Sequence, residues 1–227
     1  MEKWKKTLYP KTQRINNDVF MWQVTEKLDG SNLTLFRHCG ELWVATRNQI
    51  FCWDDVESKD DIGYKGLYAW LTEHAEVIAD CLGDGQALCG EWIGMGRIKY
   101  KDSLQFRFYV FARAAVFFDN EHDTFGIIGI TRDVSELEEL IAHLGISSFV
   151  GVVPIVSKRS VIDKYDGINK INSLNDMYDA YKELVDRDVE GFIVTNLYTG
   201  QPFKYVRQKE NKLEPHQEGR YVYPVVW

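Results

Sequence analysis

Between Phe20 and Thr46 the chain reads as three short runs of strand-forming residues, Phe20 to Glu26, Asn32 to Arg37 and Leu42 to Thr46, broken only by glycine-containing turns at Asp29-Gly30 and Cys39-Gly40. Connections this short join antiparallel strands, since a parallel pair needs a crossover of roughly a dozen residues or more. A meander is therefore expected near the amino terminus. Helical spacing first appears in Leu67, Trp70, Leu71, Val77, Ile78 and Leu82, and Gly83-Asp-Gly85 ends it. Strand patterns resume at Ala87 to Trp92 and Arg107 to Phe118, and Ser135-Glu-Leu-Glu138 offers a capping box for a helix reaching Leu144. Further strands are predicted at Val150 to Val156, Val189 to Asn196 and Pro202 to Val206, with a helix over Leu174 to Val185. The fold class is α+β, antiparallel β-sheets with flanking helices. No repeat, low-complexity stretch or linker divides the sequence, so one domain over 1–227 is expected.

With 45% hydrophobic residues the chain can bury a sizeable core without covalent staples. Cys39, Cys52, Cys81 and Cys89 have no CxxC spacing and the histidines are scattered, which signals neither a zinc knuckle nor a disulfide framework. No apolar run is long enough to span a membrane, and the charged start Met1-Glu-Lys-Trp-Lys-Lys6 leads into no secretory segment. A soluble, cytoplasmic protein with no membrane partner is expected. The net charge of −7 argues against coating nucleic acid non-specifically, because such binding neutralises many phosphates at once. It leaves room for a local groove, and basic residues cluster at Lys3 to Arg14, Arg97-Ile-Lys-Tyr-Lys101 and Lys204 to Lys212.

Lys27-Leu-Asp-Gly30 closes the first predicted strand. A lysine attacks an electrophile only as the free amine, and an ordinary lysine, titrating near ~10.4, is well under ~1% uncharged at neutral pH. A bound metal or neighbouring cation, with partial desolvation, would raise that fraction, and Gly30 would let the backbone approach a phosphate. The tetrapeptide alone describes an exposed lysine opening a hairpin equally well, and Lys164-Tyr-Asp-Gly167 repeats it. The residues downstream separate the two copies. After Lys27 come Asn32, Arg47 in Ala-Thr-Arg-Asn, Glu91 in Cys-Gly-Glu-Trp-Ile-Gly, Phe111 in Phe-Tyr-Val-Phe-Ala, Glu190 in Val-Glu-Gly-Phe-Ile-Val and Lys204 in Pro-Phe-Lys-Tyr-Val-Arg. Each lies on or beside a predicted strand. Lys164 has too little chain after it for such a series.

From about Val24 to Arg207 this ordered set resembles the covalent nucleotidyltransferase superfamily of ATP-dependent ligases and mRNA capping enzymes, most closely the phage and RNA-editing type of ATP-dependent RNA ligase. Gly30-Ser-Asn32 and Gly-Glu-Trp-Ile-Gly look like the RNA ligase form, whereas DNA ligases usually carry an arginine two residues after the motif glycine. The resemblance implies an ATP-grasp-like nucleotidyltransferase domain, with sheets and helices around a nucleotide cleft. It implies that Lys27 forms a lysyl-AMP bond, with Arg47, Glu190 and Lys204 as further catalytic residues. It places Glu26, Asn32, Arg47, Glu91, Phe111, Glu190, Lys204 and Arg207 with Lys27 at the nucleotide: Glu91 on the ribose, Phe111 stacked on adenine, Arg47 and Lys204 on phosphate oxygens. Asp29, Glu91 and Glu190 would hold Mg2+ or Mn2+. Arg207 is favoured over Lys209 for the second cation of the last motif.

The implied partners are ATP and RNA with 3′-hydroxyl and 5′-phosphate ends, with a protein that supplies the substrate as a further option. A capping guanylyltransferase using GTP, or a small DNA ligase, would normally need an oligonucleotide-binding barrel, for which the 20 residues after Arg207 are too few. No separate carboxy-terminal domain is therefore expected. A catalytically silent nucleotide or RNA binder would have no need of the nucleophile.

Overall fold

A computed structural model describes residues 13–14, 22–58, 62–94, 96–100, 104–156, 174–197 and 199–206. They gather into two compact units, one from Asp29–Val152 and the other from Thr12–Leu28 with Val153–Trp227. Lys164, Lys101 and Arg207 lie outside the described residues.

The smaller unit is a four-stranded sheet. Numbered along the chain, its strands are β1 (Gln13–Arg14), β2 (Trp22–Lys27), β10 (Gly191–Asn196) and β11 (Pro202–Val206), in the order β1-β11-β10-β2. β10 is antiparallel to both neighbours, and β1 runs parallel to β11. Helix α3 (Leu174–Val185) presents Met177, Tyr178 and Tyr181 to one core with Val24, Phe192 and Val194, residues two apart on their strands. α3 follows its sequence expectation residue for residue.

The larger unit holds β3 (Ser31–His38), β4 (Glu41–Ala45), β5 (Ile50–Cys52), β6 (Gln86–Trp92), β7 (Phe108–Asp119) and β8 (Thr124–Thr131), in the order β5-β4-β3-β6-β7-β8. β9 (Val150–Val152) runs parallel to the start of β7. Helix α1 (Leu67–Cys81) packs Leu67, Leu71, Ala75 and Ile78 on Leu33, Leu35, Val44, Leu88 and Val110. Each such leucine or isoleucine contributes about 1.5–3 kcal/mol by burial. Val77, expected in this stripe, is 47% exposed, because six residues beyond Leu71 the helix has turned about 120° away from the buried stripe.

Four local expectations are corrected. The three-strand meander survives only as β3-β4, since β2 pairs with β10 in the other unit, and Asp29-Gly30 is not a hairpin turn. Helix α2 (Val134–His143) is capped by Asp133, whose carboxylate accepts the N–H groups of Ser135 and Glu136, rather than by Ser135. The helix starts two residues earlier than the capping box predicts, so the first N–H groups needing a partner are those of Ser135 and Glu136, which the Asp133 side chain reaches. The strand expected over Val150 to Val156 is shared between units: β9 serves the larger, and beyond Val152 the Pro154 carbonyl accepts the Glu26 N–H while Val156 N–H donates to Val24. Proline cannot donate to a ladder, which ends the strand there. β1, β5 and β8 are additions to the strands the sequence predicts.

Candidate active site

In the smaller unit the register sorts the side chains by face. Lys27 pairs with Gly191, Thr25 with Ile193, and Ile193 with Lys204, so Lys27, Thr25, Ile193 and Lys204 share one face. Glu26, Phe192 and Tyr205 take the other, toward α3. Glu190, the residue before β10, reaches Lys27: Oε2 stands 2.5 Å from Nζ, and both side chains are about a quarter exposed, 26% and 29%. The sheet therefore brings Lys27 and Glu190 into contact and puts Lys204 on the same face, one strand beyond.

Glu26 has other partners than a nucleotide. Its carboxylate is fully buried and receives two bonds from Arg187, Nη1 to Oε1 at 2.5 Å and Nη2 to Oε2 at 2.6 Å. The Tyr181 hydroxyl donates to Oε2 at 2.8 Å. This side chain fastens β2 to α3 and to the turn before Glu190.

In the larger unit Asn32 of β3 lies directly across from Glu91 of β6, and Glu91 from Tyr109 of β7, so the three form a row on one face. The ladder slips at Cys89/Gly90: Ala112 pairs with Cys89 and Val110 with Gly90, which leaves Phe111 as the extra residue of a bulge. Bulges re-aim side chains beside functional sites, and the half-buried Phe111 ring packs on the cluster containing Phe36, Cys89 and Ala112. Glu91 Oε1 accepts the Gly30 N–H at 3.1 Å. A Cβ at Gly30 would overlap the Trp92 carbonyl, so this glycine permits a close approach to β6.

Tyr64 organises two of the predicted residues. Its hydroxyl donates to the Asn32 carbonyl at 3.0 Å and accepts the exposed Arg47 N–H at 3.1 Å. Burial pushes this hydroxyl above its ordinary value, so it stays a donor at neutral pH. Asp29 Oδ2 accepts two backbone N–H groups, those of Arg97 and Ile98. Elsewhere Glu41, Cys52 and Asp54 bring three possible ligand atoms within 4.8 Å of one another, and burial pushes the Cys52 thiol up to about 11.

Residues 21–206 match the RNA ligase family. The chain belongs to that family. No curated protein has a matching sequence. Among solved structures, a mutant Naegleria gruberi RNA ligase with ATP and Mn is 21% identical over 82% of this chain and 48% of that one, with a TM-score of 0.46. A second Naegleria gruberi RNA ligase mutant, with AMP and Mn, is 20% identical over 82% and 49%, TM-score 0.47. An archaeal ATP-dependent RNA ligase is 18% identical over 87% and 48%, TM-score 0.48. The chain spans about half the length of these RNA ligase structures.

In this RNA ligase family member the sequence singles out Lys27 and Glu190, which the structure brings into contact, and passes over Tyr64, Tyr100, Tyr181 and Arg187. Their roles are contacts between segments far apart in sequence. Only Arg187 carries a local signal, as the cation of Asp186-Arg-Asp188 just before Glu190.

Among the described residues no helix is long and apolar enough to cross a membrane.

Proposed function

We propose that this chain is an ATP-dependent RNA ligase that joins RNA 3′-hydroxyl and 5′-phosphate ends through AMP carried on Lys27. The observation that carries the reading is the Lys27–Glu190 contact on a sheet face shared with Lys204, within a chain of the RNA ligase family. The Lys27 amine attacks the ATP α-phosphorus, a P–N bond forms, pyrophosphate leaves, and Glu190 is placed to take the amine proton. The RNA 5′-phosphate oxygen then attacks that phosphorus and breaks the P–N bond. The 3′-hydroxyl displaces AMP from the resulting anhydride, which leaves a phosphodiester. Lys204 and Arg47 hold phosphate oxygens as charge grows on phosphorus, Glu91 contacts the ribose, Asn32 assists the metal site or the phosphate, and Phe111 stacks on adenine.

Glu190 suits a divalent cation, being a partly exposed hard oxygen donor, and Glu91 is the second candidate. A Mg2+ or Mn2+ held there would neutralise phosphate charge and compete with the Lys27 ammonium for the same carboxylate.

The test is incubation with α-labelled ATP or GTP and Mg2+, a denaturing gel, and then addition of nicked RNA or DNA duplexes. Label from ATP that resists denaturation and passes into sealed RNA supports the reading. Label from GTP alone, sealing of DNA alone, or no label overturns it.

A further inference from the structure

Asp29 anchors a basic segment that no helix or strand supports. Its Oδ2 accepts the backbone N–H of Arg97 at 2.5 Å and of Ile98 at 2.8 Å. In the other direction the Asp29 N–H donates to the Tyr100 hydroxyl at 2.6 Å, and Tyr100 is buried. Gly96 packs on the same residue, for a Cβ there would overlap the Asp29 carbonyl oxygen. Residues 96–100 are thus tied to one aspartate at every position except Lys99. Hydrogen bonds to an ionised carboxylate are the strong ones, roughly twice a neutral pair. What the clamp displays alternates: Arg97 and Lys99 are exposed, while Ile98 and Tyr100 turn inward.

We infer that Asp29 is a positioning residue for RNA, holding 96–100 so that Arg97 and Lys99 meet phosphates of the strand being joined. Both backbone N–H groups go to the same oxygen, Oδ2, so one carboxylate oxygen holds the segment in place. A clamped pair of cations two residues apart suits a polyanion, whose backbone repeats its charge, better than a small ligand. The inference rests on the RNA ligase reading for the identity of the polyanion, while the clamp itself stands on geometry alone.

Asp29→Asn keeps an oxygen that can accept both N–H groups but removes the charge a metal would need. Asp29→Ala removes both, and Gly96→Ala opens the clamp from its other side. Amide hydrogen exchange at Arg97 and Ile98 should be slow in the wild type and Asp29→Asn, and faster by about tenfold or more in Asp29→Ala and Gly96→Ala. In parallel assays Gly96→Ala, which leaves the carboxylate intact, should lose RNA joining about tenfold more than ATP labelling. Unchanged exchange in Asp29→Ala, exchange in Asp29→Asn as fast as in Asp29→Ala, or equal loss of both steps in Gly96→Ala would each overturn the inference. Should the wild type neither label nor join, the ligase reading fails by itself. Binding of a 5′-phosphorylated RNA oligonucleotide over a salt series then decides: weaker binding with a shallower salt slope in Asp29→Ala but not in Asp29→Asn supports the clamp, and equal binding refutes it.

Discussion

Lys27 Nζ and Glu190 Oε2 stand 2.5 Å apart, held by a register that pairs Lys27 with Gly191 on the neighbouring strand. An ammonium in this contact has no lone pair to offer phosphorus. In the proposed reaction the carboxylate that holds it also takes its proton, so one contact would serve both the resting state and the first chemical step. Lys27→Ala should abolish covalent nucleotide labelling, and Lys27→Arg should do the same because a guanidinium stays protonated. Lys164→Ala should label like the wild type. Labelling that disappears in the Lys164 variant and survives in Lys27→Ala would move the nucleophile.

Glu190→Gln keeps the size of the side chain and removes its charge. Labelling should fall by about a hundredfold or more, the order seen when a group that stabilises transition-state charge is removed. Excess chelator should silence the wild type, and added Mn2+ should not rescue the glutamine variant. Full labelling in chelator would exclude a divalent cation from the step.

Long, regular elements are legible in the sequence, and so are residues whose chemistry is unusual for their position. α3 is readable because Leu174 to Val185 has helical spacing on one face, and β11 because Pro202 to Val206 is a bounded run. β8 escapes because Gly126 and Gly129 interrupt it and Ile128 points outward, 57% exposed, so its apolar residues do not alternate. That β2 and β3 belong to different sheets is invisible, since the turn between them has the composition of a hairpin. Only the partners β10 and β6, far away in sequence, decide the matter. Phe111 is legible as an aromatic on a strand, whereas its bulge is not, because a register shift belongs to two strands at once.

The thiols make a test that needs no substrate. Burial pushes Cys89 up to about 12 and Cys52 up to about 11, whereas Cys39 is exposed. At pH 8 an aromatic disulfide reagent should modify Cys39 at once and leave Cys52 and Cys89 untouched until denaturant is added. The unfolded thiols ionise near their ordinary value of 9.0 while the folded ones keep their protons. The native state then binds more protons than the unfolded one, and stability should fall as pH rises past 9 toward 11. A melting temperature that rises over this range would contradict the assignment.

Tyr64→Phe removes only the hydroxyl that joins the Asn32 carbonyl to the Arg47 N–H. The expected stability loss is about 1 kcal/mol, that of an ordinary hydrogen bond. The larger effect should fall on ATP, as a higher KM for labelling, because Arg47 loses a fixed backbone. An unchanged KM would confine Tyr64 to a packing role.

Glu26 and Arg187 form the most consequential pair outside the reacting atoms. Their side chains are 0% and 10% exposed, and the contact is a two-pronged fork to which Tyr181 adds a third bond. Glu26 immediately precedes Lys27, and Arg187 lies three residues before Glu190. The fork therefore fastens the strand that ends in Lys27 to the turn that carries Glu190. Removing one member strands a buried charge, so Arg187→Met should cost about 3–5 kcal/mol of stability. Glu26→Gln together with Arg187→Met should cost clearly less than the sum of the two single changes, since the double variant leaves no charge uncompensated. Arg187→Lys is the informative change for function: it keeps a cation but loses the planar fork. Below its melting temperature it should lower the maximal rate of labelling, because Lys27 and Glu190 lose their fixed separation, while KM for ATP stays near the wild-type value. Thermal melts with labelling kinetics on the same samples check both halves. Additive losses in the double variant would deny the coupling, and a change confined to KM would place Arg187 at the nucleotide instead of behind the nucleophile.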